Sequence, residues 1–204
     1  CILFFITFLS YSQTFDQKIE DLINENLDET IELRHWFHQN AELSNREFKT
    51  AARIAEELKK IGYEPMTGIA KTGVVAILNP GKPGPVVGLR ADIDALPVKE
   101  RADIPWASKM KGVYNGEEVP VMHACGHDMH TAILLAAAKI LYDIKDEIPG
   151  QVKFIFQPAE EGAPPGEEGG AELMVKEGVL KNPDVDAIFG LHVWSGLYAG
   201  QVYL

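Results

Sequence analysis

The sequence contains no run of basic residues, and this absence limits the partners that the protein can bind. Lys and Arg together number 19 against 30 Asp and Glu in 204 residues, for a formal net charge of −11. Nucleic-acid binding needs concentrated Lys and Arg to hold phosphates, so we expect no nucleic-acid partner. Hydrophobic residues make up 46% of the chain and charged residues 24%, values typical of a folded globular protein and not of a disordered one.

Three catalytic signatures are missing as well. The sequence has no His-Glu-x-x-His helix motif, no Gly-x-Ser-x-Gly elbow and no phosphate-binding glycine loop. The first marks one class of zinc protease, the second marks serine hydrolases and the third marks nucleotide-dependent enzymes. The sequence therefore contains neither of the motifs that would indicate a serine hydrolase or a nucleotide-dependent enzyme.

Long hydrophobic stretches are equally scarce. One at the start of the chain, Ile2–Leu9, leads into the small-x-small pattern of Ser10–Gln13. This combination is typical of the apolar part of a secretory signal and its cleavage site, so we interpret residues 1–12 as the remnant of a signal peptide and expect an exported protein, periplasmic or secreted. A buried N-terminal strand is the alternative. The stretch is too short to span a membrane.

Cysteine is rare too. Cys1 lies in the segment interpreted as removed, which leaves Cys125 as a single thiol. A single thiol cannot form an internal disulfide, and a free thiol in an exported protein calls for a function. Cys125 lies among three histidines, at positions 123, 127 and 130.

Helical spacing of apolar residues predicts one helix over about Asp16–Asn40 and a second that ends at Gly62. The second helix is expected to begin at Ser44, where Ser44-x-x-Glu47 matches a capping box. Asp128 is expected to cap a third helix over residues 129–142, and a short helix is expected over residues 171–176.

Short apolar runs predict strands at residues 74–78, 86–89, 119–122, 152–156 and 187–191. Strands that alternate with helices imply an α/β layer fold. Polar residues follow four of these strands: Asp92 and Asp94, the Cys125 cluster, Glu160 and Glu161, and His192. Ligands of open α/β sheets bind beyond the carboxyl ends of the strands. The sequence therefore predicts that these side chains meet at one metal site.

The strongest of the four groups is His123–His130. In an extended stretch, side chains two residues apart share a face, so Cys125 and His127 can reach one ion, and Gly126 lets the backbone approach it. Thiolate and imidazole suit zinc and its neighbours in the first transition row. We expect His123 and His130 to orient ligands rather than bind. The alternative is a structural cluster of capping and core-edge residues.

The other three groups are each ambiguous when taken alone. Glu160 and Glu161 can divide labour, with one carboxylate on the metal and the other acting as a base, but a solvated pair is the alternative. His192 ends an apolar strand and could equally be a core histidine. Asp92 and Asp94 could bind metal, orient the ligating histidines or form a turn.

Four segments together resemble a known family: Gly88–Pro97, Met122–Asp128, Phe156–Gly162 and Gly190–Trp194. They are similar to the metal-dependent amidohydrolases related to aminoacylase and carboxypeptidase. The branch that they most resemble includes hippurate hydrolase, the plant auxin-conjugate hydrolases and N-acetyl-diaminopimelate deacetylase. The similarity extends from about Glu32 to the last residue, with the four motifs in the family's order.

The resemblance implies two divalent metal ions held by Cys125, His127, Glu161 and His192, with Cys125 bridging them. Glu160 would be the general base that takes a proton from the attacking water and returns it to the departing amine. Asp92 and His130 would orient the ligands. Zinc and manganese are the expected metals, with cobalt and nickel as further candidates. The expected substrate is a small N-acyl amino acid.

The resemblance also implies a zinc-peptidase-like catalytic domain, with a mixed, largely parallel sheet flanked by helices. In the family, this domain is interrupted by a lid domain that pairs subunits, and a further histidine ligand lies beyond it. We therefore expect residues 13–204 to be the N-terminal part of the catalytic domain, without the lid through which the full-length protein would form a homo-oligomer. By itself this piece is expected to bind metal weakly and to turn over little or no substrate.

Three functions remain open from the sequence. The first is amide hydrolysis of N-acyl amino acids, the second is a dipeptidase or carboxypeptidase of the same superfamily, and the third is a non-catalytic metal-binding module. The Cys125–His127 pattern favours the first function, because the peptidase branches resemble one another in having Asp where Cys125 stands.

Overall fold

The computed structural model describes residues 14–203. The interpretation of residues 1–12 as a signal remnant lies outside this range. The helices of the described part are α1 (Phe15–Gln39), α2 (Phe48–Ile61), α3 (His127–Asp143) and α4 (Gly170–Lys176). The strands are β1 (Met66–Ile69), β2 (Gly73–Leu78), β3 (Val86–Asp92), β4 (Met110–Tyr114), β5 (Glu117–Val121), β6 (Gln151–Gln157) and β7 (Ala187–Gly190). Within residues 14–203, no helix combines the length and the apolar character needed to cross a membrane.

Five strands form one mixed sheet in the order β1-β2-β6-β3-β7. Strand β3 runs parallel to β6 and β7, whereas β2 runs antiparallel to β6 and β1 antiparallel to β2. The predicted mixed α/β fold is confirmed. Since β3, β6 and β7 are parallel, their carboxyl ends lie at the same edge, and Asp92 pairs in register with Gln157 there.

Strand β6 is buried on both sides because helices cover both faces of the sheet. Phe154 and Phe156 point into the larger core, where they pack with Ile54 of α2 and Leu135 of α3. Ile155 points to the opposite face and packs in a smaller core with Met174 of α4 and other apolar residues. The sheet is thus held between two layers, and its edge stays free for polar side chains.

Two predicted helix starts are wrong. Helix α2 begins at Phe48, and its N-cap Glu47 makes no side-chain capping bond. Ser44 Oγ donates instead to the Asp94 carboxylate at 2.6 Å. The capping box therefore does not form, because a buried carboxylate takes the hydroxyl. The predicted end of α2 is confirmed, since Gly62 adopts φ 119°, a left-handed conformation that favours glycine.

Asp128 does not cap α3. The helix begins at His127 with Gly126 as its N-cap, so Asp128 already lies inside the first turn. Its carboxylate turns towards α1, where it accepts from Arg34 Nε at 3.2 Å and lies 3.0 Å from His38 Nδ1. Cationic partners on a neighbouring helix therefore determine where this side chain points.

The strand before the cysteine cluster is not part of the main sheet. Strands β4 and β5 form a separate two-stranded hairpin, so the expectation that all four polar groups follow strands of one sheet is wrong in this case. A single bridge between Leu96 and Met122 joins the hairpin to the segment that leaves β3. This bridge brings the cysteine cluster to the sheet edge.

We expect the larger core to set the stability of the fold. Phe154→Ala removes a fully buried ring and should lower the free energy of unfolding by about 3–5 kcal/mol, because both burial and packing are lost. Phe48→Ala is the matched control, since Phe48 is 62% exposed and its loss should cost less than about 1 kcal/mol. Urea unfolding followed by circular dichroism measures both. Equal losses in the two variants would contradict this assignment of the core.

Candidate metal centre

The structure brings the four predicted metal ligands together from three chain segments. Ligand atoms of Cys125, His127 and Glu161 lie within 4.8 Å of one another, and those of His127 and His192 belong to a second group with the same limit. Cys125 Sγ lies 3.6 Å from His192 Nε2. Zinc ligands lie roughly 2.0–2.3 Å from the ion, so two of them are about 3–4 Å apart around one ion. The spacing therefore fits coordination.

His127 occupies the centre of this cluster. Its ring is fully buried, and Nδ1 lies 2.8 Å from the backbone carbonyl of Asp94. Nε2 has no hydrogen-bond partner among the described residues, although carboxylate oxygens of Asp92 and Glu160 lie 3.6 Å away and one of Glu161 lies 3.8 Å away. A buried nitrogen without a partner is costly. A divalent cation bound at this nitrogen would satisfy it and the carboxylates together.

The protonation of His127 follows from these neighbours. Burial lowers its pKa, but the hydrogen bond and charge of Asp94 and the charge of Asp92 outweigh burial, so that the net shift is upward. The neighbouring carboxylates therefore favour a positive charge at this position. A bound metal ion would supply that charge, since a ligating imidazole is neutral.

The turn at Gly126 places Cys125 beside His127. Gly126 adopts φ 92°, and a Cβ at this position would lie 2.5 Å from Val193 Cγ2, so both the conformation and the space require glycine. His127 is the first residue of α3 and not part of an extended stretch. The sequence argument from alternation along a strand is therefore wrong, and a left-handed turn into a helix brings the two side chains together instead.

Asp92 and His130 form a buried pair beside the ligands. Asp92 Oδ1 lies 2.6 Å from His130 Nδ1, while His130 Nε2 accepts a hydrogen bond from the Val193 amide at 3.1 Å. Burial raises the pKa of Asp92, but the bond to His130 and the charges of His127 and Arg90 outweigh it and lower the pKa to about 2. Since Val193 directly follows His192, the pair holds the segment that carries this ligand.

The surroundings of Cys125 favour the protonated form of its thiol. Burial, together with the hydrogen bond and charge of Glu161 and the charge of Glu160, raises its pKa to about 11. The thiolate is the form that binds metal. A metal ion held by Cys125 would therefore displace a proton, and its affinity would depend on pH.

Sequence reasoning missed a buried support for the two glutamates. Glu47 is fully buried, accepts a hydrogen bond from the Thr72 hydroxyl at 2.6 Å and accepts another from the Ala159 amide at 2.9 Å. Ala159 has φ 49° and directly precedes Glu160. Burial raises the pKa of Glu47 to about 7. Glu47 therefore holds the turn from which Glu160 and Glu161 project.

A second support comes from Asp94. Its Oδ2 accepts from Ser44 Oγ at 2.6 Å and from the Glu161 amide at 3.0 Å. Burial raises the pKa of Asp94, but the hydrogen bonds from His127, Ser44 and the Glu161 amide outweigh it, and the net shift is downward. Both supports could have been noticed from the Ser44-x-x-Glu47 pattern, which contains Glu47 and the Ser44 that binds Asp94. Local reasoning assigned this pattern to a helix cap.

His123 was expected to orient a ligand. It is buried, and neither ring nitrogen has a hydrogen-bond partner among the described residues. Burial lowers its pKa to about 4, so the ring is neutral at physiological pH. In the described part of the chain, His123 makes no hydrogen bond to a predicted ligand.

The chain can now be compared with known proteins. Residues 88–203 match the family model described as peptidase family M20/M25/M40. The chain belongs to this peptidase family. The match confirms the resemblance that the four sequence motifs indicated, and M20 relatives with known structures share the mixed sheet and its flanking helices.

Three M20 relatives illustrate the likeness. The chain is 43% identical over 185 residues to thermostable carboxypeptidase 2 of Saccharolobus solfataricus, covering 90% of this chain and 44% of the relative. It is 42% identical over 186 residues to an N-acyl-L-amino acid amidohydrolase of Geobacillus stearothermophilus, covering 91% and 46%. The YXEP protein of Bacillus subtilis, described as a dinuclear metal binding peptidase, superposes with a TM-score of 0.72 at 39% identity over 83% of this chain and 44% of its own. The chain thus spans less than half the length of these M20 relatives.

We expect metal binding to release the thiol proton. Over about pH 6–8.5, below the thiol pKa of about 11, the apparent Zn²⁺ affinity should rise by about tenfold per pH unit for each proton displaced. Cys125→Ala should bind more weakly and should lose about one proton from this slope. Competition against a chromophoric chelator at several pH values measures both quantities.

His35→Gln is the control for this measurement, because His35 stacks on Trp106 outside the cluster and its loss should leave the slope unchanged. An unchanged slope in Cys125→Ala would show that the thiol is not a ligand.

Glu47 should make stability depend on pH. Its pKa rises from an ordinary value of 4.5 to about 7 on folding, so the folded state binds more protons than the unfolded state between these values and wild-type stability falls as pH rises through them. Glu47→Gln removes this titration. The free energy of unfolding of Glu47→Gln minus that of wild type should therefore be about 3 kcal/mol larger at pH 7.5 than at pH 4.5. This follows from about 1.4 kcal/mol per pKa unit.

Urea unfolding of both proteins at four pH values measures this difference. Glu57→Gln serves as the control for an exchange of Glu for Gln at a buried position paired with cations. A wild-type and Glu47→Gln difference that stays constant across the range would refute the assignment.

Proposed function

We propose that the full-length protein hydrolyses the amide bond of N-acyl amino acids with two divalent metal ions, and that Glu160 is the general base. One observation carries the proposal: the Glu160 carboxylate lies 3.6 Å from the unpartnered His127 Nε2, and its side chain remains 35% exposed. A base must reach both the ligand cluster and the substrate. Glu160 meets both requirements.

The residues that would hold the ions are Cys125, His127, Glu161 and His192. When bound, two divalent ions lower the pKa of water, polarise the scissile carbonyl and clamp the reacting oxygens. The donor set of thiolate, imidazole and carboxylate suits zinc, manganese, cobalt or nickel. The likeness to the YXEP protein, a dinuclear metal binding peptidase, supports a two-ion centre.

In the proposed mechanism, Glu160 removes a proton from the attacking water and later transfers it to the nitrogen of the leaving amine. Both transfers use the same carboxylate, because the proton first gained is the one that the departing amine needs. Glu161 is less suited to this role, since its backbone amide is tied to Asp94 and its carboxylate belongs to the ligand group. Asp92 and His130 keep His192 in place and carry no proton to substrate.

The second candidate function is hydrolysis of the peptide bond in unblocked peptides. The thermostable carboxypeptidase of Saccharolobus solfataricus is 43% identical to this chain, and peptide and N-acyl amide bonds need the same chemistry. The amidohydrolase of Geobacillus stearothermophilus is named for the N-acyl amino acid class. Rates on matched N-acyl amino acids and unblocked dipeptides distinguish these two functions.

We expect Glu160→Gln to abolish most turnover without loss of metal. In the full-length enzyme, kcat for an N-acyl amino acid should fall by about 10²–10⁴-fold, because the amide side chain cannot accept the proton. Steady-state kinetics and metal content by mass spectrometry test this expectation together. Glu168→Gln is the control, since Glu168 pairs with Lys176 on an exposed surface.

Activity of Glu160→Gln within threefold of wild type at full metal content would exclude Glu160 as the base. Absence of any amide hydrolysis by the metal-loaded wild-type enzyme would favour a non-catalytic metal-binding module.

A further inference from the structure

Residues 97–109, here called the strap, lie between β3 and β4 and contain no helix or strand. Their position therefore depends on contacts with neighbouring elements, and several of these contacts go to the last turns of α1. Gln39 Nε2 donates to the Pro105 carbonyl at 3.2 Å, and the rings of His35 and Trp106 stack with their centroids 3.7 Å apart. These contacts hold the end of the strap that leads into β4.

Glu100 holds the other end of the strap to α1. Its Oε2 lies 2.7 Å from Nε2 of His38, which shares a face of α1 with His35 because residues three apart on a helix are neighbours. Its Oε1 accepts hydrogen bonds from the backbone amides of Arg101 and Ala102, both at 2.9 Å. A single carboxylate therefore joins α1 to the backbone of the strap.

The second nitrogen of His38 also faces a carboxylate. Nδ1 lies 3.0 Å from Oδ2 of Asp128 on α3, so both ring nitrogens meet carboxylates, which only accept hydrogen bonds. A neutral imidazole has one N–H and can satisfy only one of the two acids, whereas an imidazolium has two and satisfies both. The geometry around His38 therefore fits the protonated ring.

The charges that face His38 favour the same state. Asp128 from α3 and Glu100 from the strap are the facing acids, and Arg34 of α1 donates to the same Asp128 oxygen at 3.2 Å. The His123 ring lies 6.4 Å from the His38 ring and is neutral, since burial lowers its pKa to about 4. The hydrogen bond to Asp128 raises the pKa of His38, burial lowers it and the bond to Glu100 raises it again, so that the net shift is upward.

We propose that the strap is a pH-sensitive element, held on α1 by protonated His38 and released at its Glu100 end when His38 loses a proton. Neutral His38 has one N–H to donate. It keeps the bond to Asp128, because the Asp128 side chain is 2% exposed, against 11% for Glu100, and a more deeply buried acceptor loses more when it is left unpaired. The lone pair on Nε2 then faces the Glu100 carboxylate, and this contact is repulsive.

Release is confined to this end of the strap. The bond from Gln39 to Pro105 needs no proton on His38, and Ser108 Oγ donates to the Val121 carbonyl of β5 at 2.6 Å. Residues 97–104 are therefore released, while residues 105–109 stay on α1 and the hairpin. Because the strap closely follows the segment that carries Asp94, the released part adjoins the candidate metal centre.

Docking of the Glu100 end should weaken as pH rises. Below the ordinary imidazole pKa of 6.5, the ring is protonated whether the strap is docked or released, so the support is complete. The contact with Glu100 makes the pKa of His38 higher in the docked state than in the released state. The support is therefore lost as pH rises through that higher value.

Hydrogen exchange in the full-length protein, corrected for the intrinsic rate at each pH, tests the proposal. Peptides that cover residues 97–104 should lose about tenfold or more of their protection between about pH 6 and about pH 9.5, as expected when a hydrogen bond between charged groups is lost. Peptides that cover residues 105–109 should lose much less. NMR of isotope-labelled histidine measures the titration of His38, whose signal is assigned by its absence in His38→Gln.

Glu100→Gln should make the protection of the strap independent of pH, because a carboxamide can accept from the imidazolium and donate to the neutral ring. Glu118→Gln is the matched control. Glu118 pairs with Lys111 on the exposed surface of the neighbouring hairpin, so this variant should keep the wild-type profile. If His38→Gln does not fold, the histidine signal whose pKa falls in Glu100→Gln identifies His38, because that variant removes one of its two acids.

The loss of protection and the titration of His38 should share one midpoint, above pH 6.5. Protection that stays constant across the range, a midpoint that Glu100→Gln leaves in place, or a His38 that does not titrate within the range would each overturn the proposal. Neither measurement uses amide hydrolysis, so the result is independent of the proposed function.

Discussion

The arrangement of this site depends on a fully buried imidazole, one nitrogen of which has no hydrogen-bond partner within residues 14–203. His127 Nδ1 is anchored on Asp94, which fixes the ring and directs Nε2 towards three carboxylates at 3.6–3.8 Å. An unpaired buried nitrogen and a group of acids each cost free energy in the absence of a counter-charge. One divalent cation would remove both costs, so a feature that is costly by itself would provide affinity for metal.

Buried polar groups on other elements hold this arrangement in place. Asp94 follows the end of β3 and contacts the α1–α2 loop through Ser44 and the loop after β6 through the Glu161 amide. Glu47 joins the β1–β2 turn to the Ala159 amide in the same way. A carboxylate in a metal site is effective only when its position is fixed by neighbouring groups. Hydrogen bonds to backbone amides supply that position here, since backbone moves less than an exposed side chain.

The sequence predicted the positions of those polar residues that directly follow parallel strands. The apolar run of β6 is followed by Glu160 and Glu161, and that of β7 by His192, so the parallel order of strands brings these residues to one edge. The role of Gly62 as the end of α2 could also be predicted, because a left-handed residue at a helix end favours glycine for local reasons alone. These features depend on short-range patterns or on a general rule for parallel sheets.

The failures share a physical cause. Ser44, Glu47 and Asp128 all have side chains that can cap a helix, and each is used instead by a tertiary partner. Polar side chains form hydrogen bonds of similar free energy with local and with tertiary partners, so a local motif cannot show which partner a side chain takes. The hairpin before Cys125 was assigned to the main sheet for a related reason: alternation identifies a strand but not its neighbours.

The adjacent glutamates show how one backbone turn can divide two identical side chains between different roles. Ala159 is held in the left-handed region by the turn that Glu47 fixes, and the Glu161 amide is held by Asp94. Glu161 thereby faces the predicted ligands Cys125 and His127, while Glu160 stays partly exposed beside His127. Because the two carboxyl groups have the same intrinsic chemistry, the proposed difference between Glu161 as a metal ligand and Glu160 as a base must come from where the backbone points them.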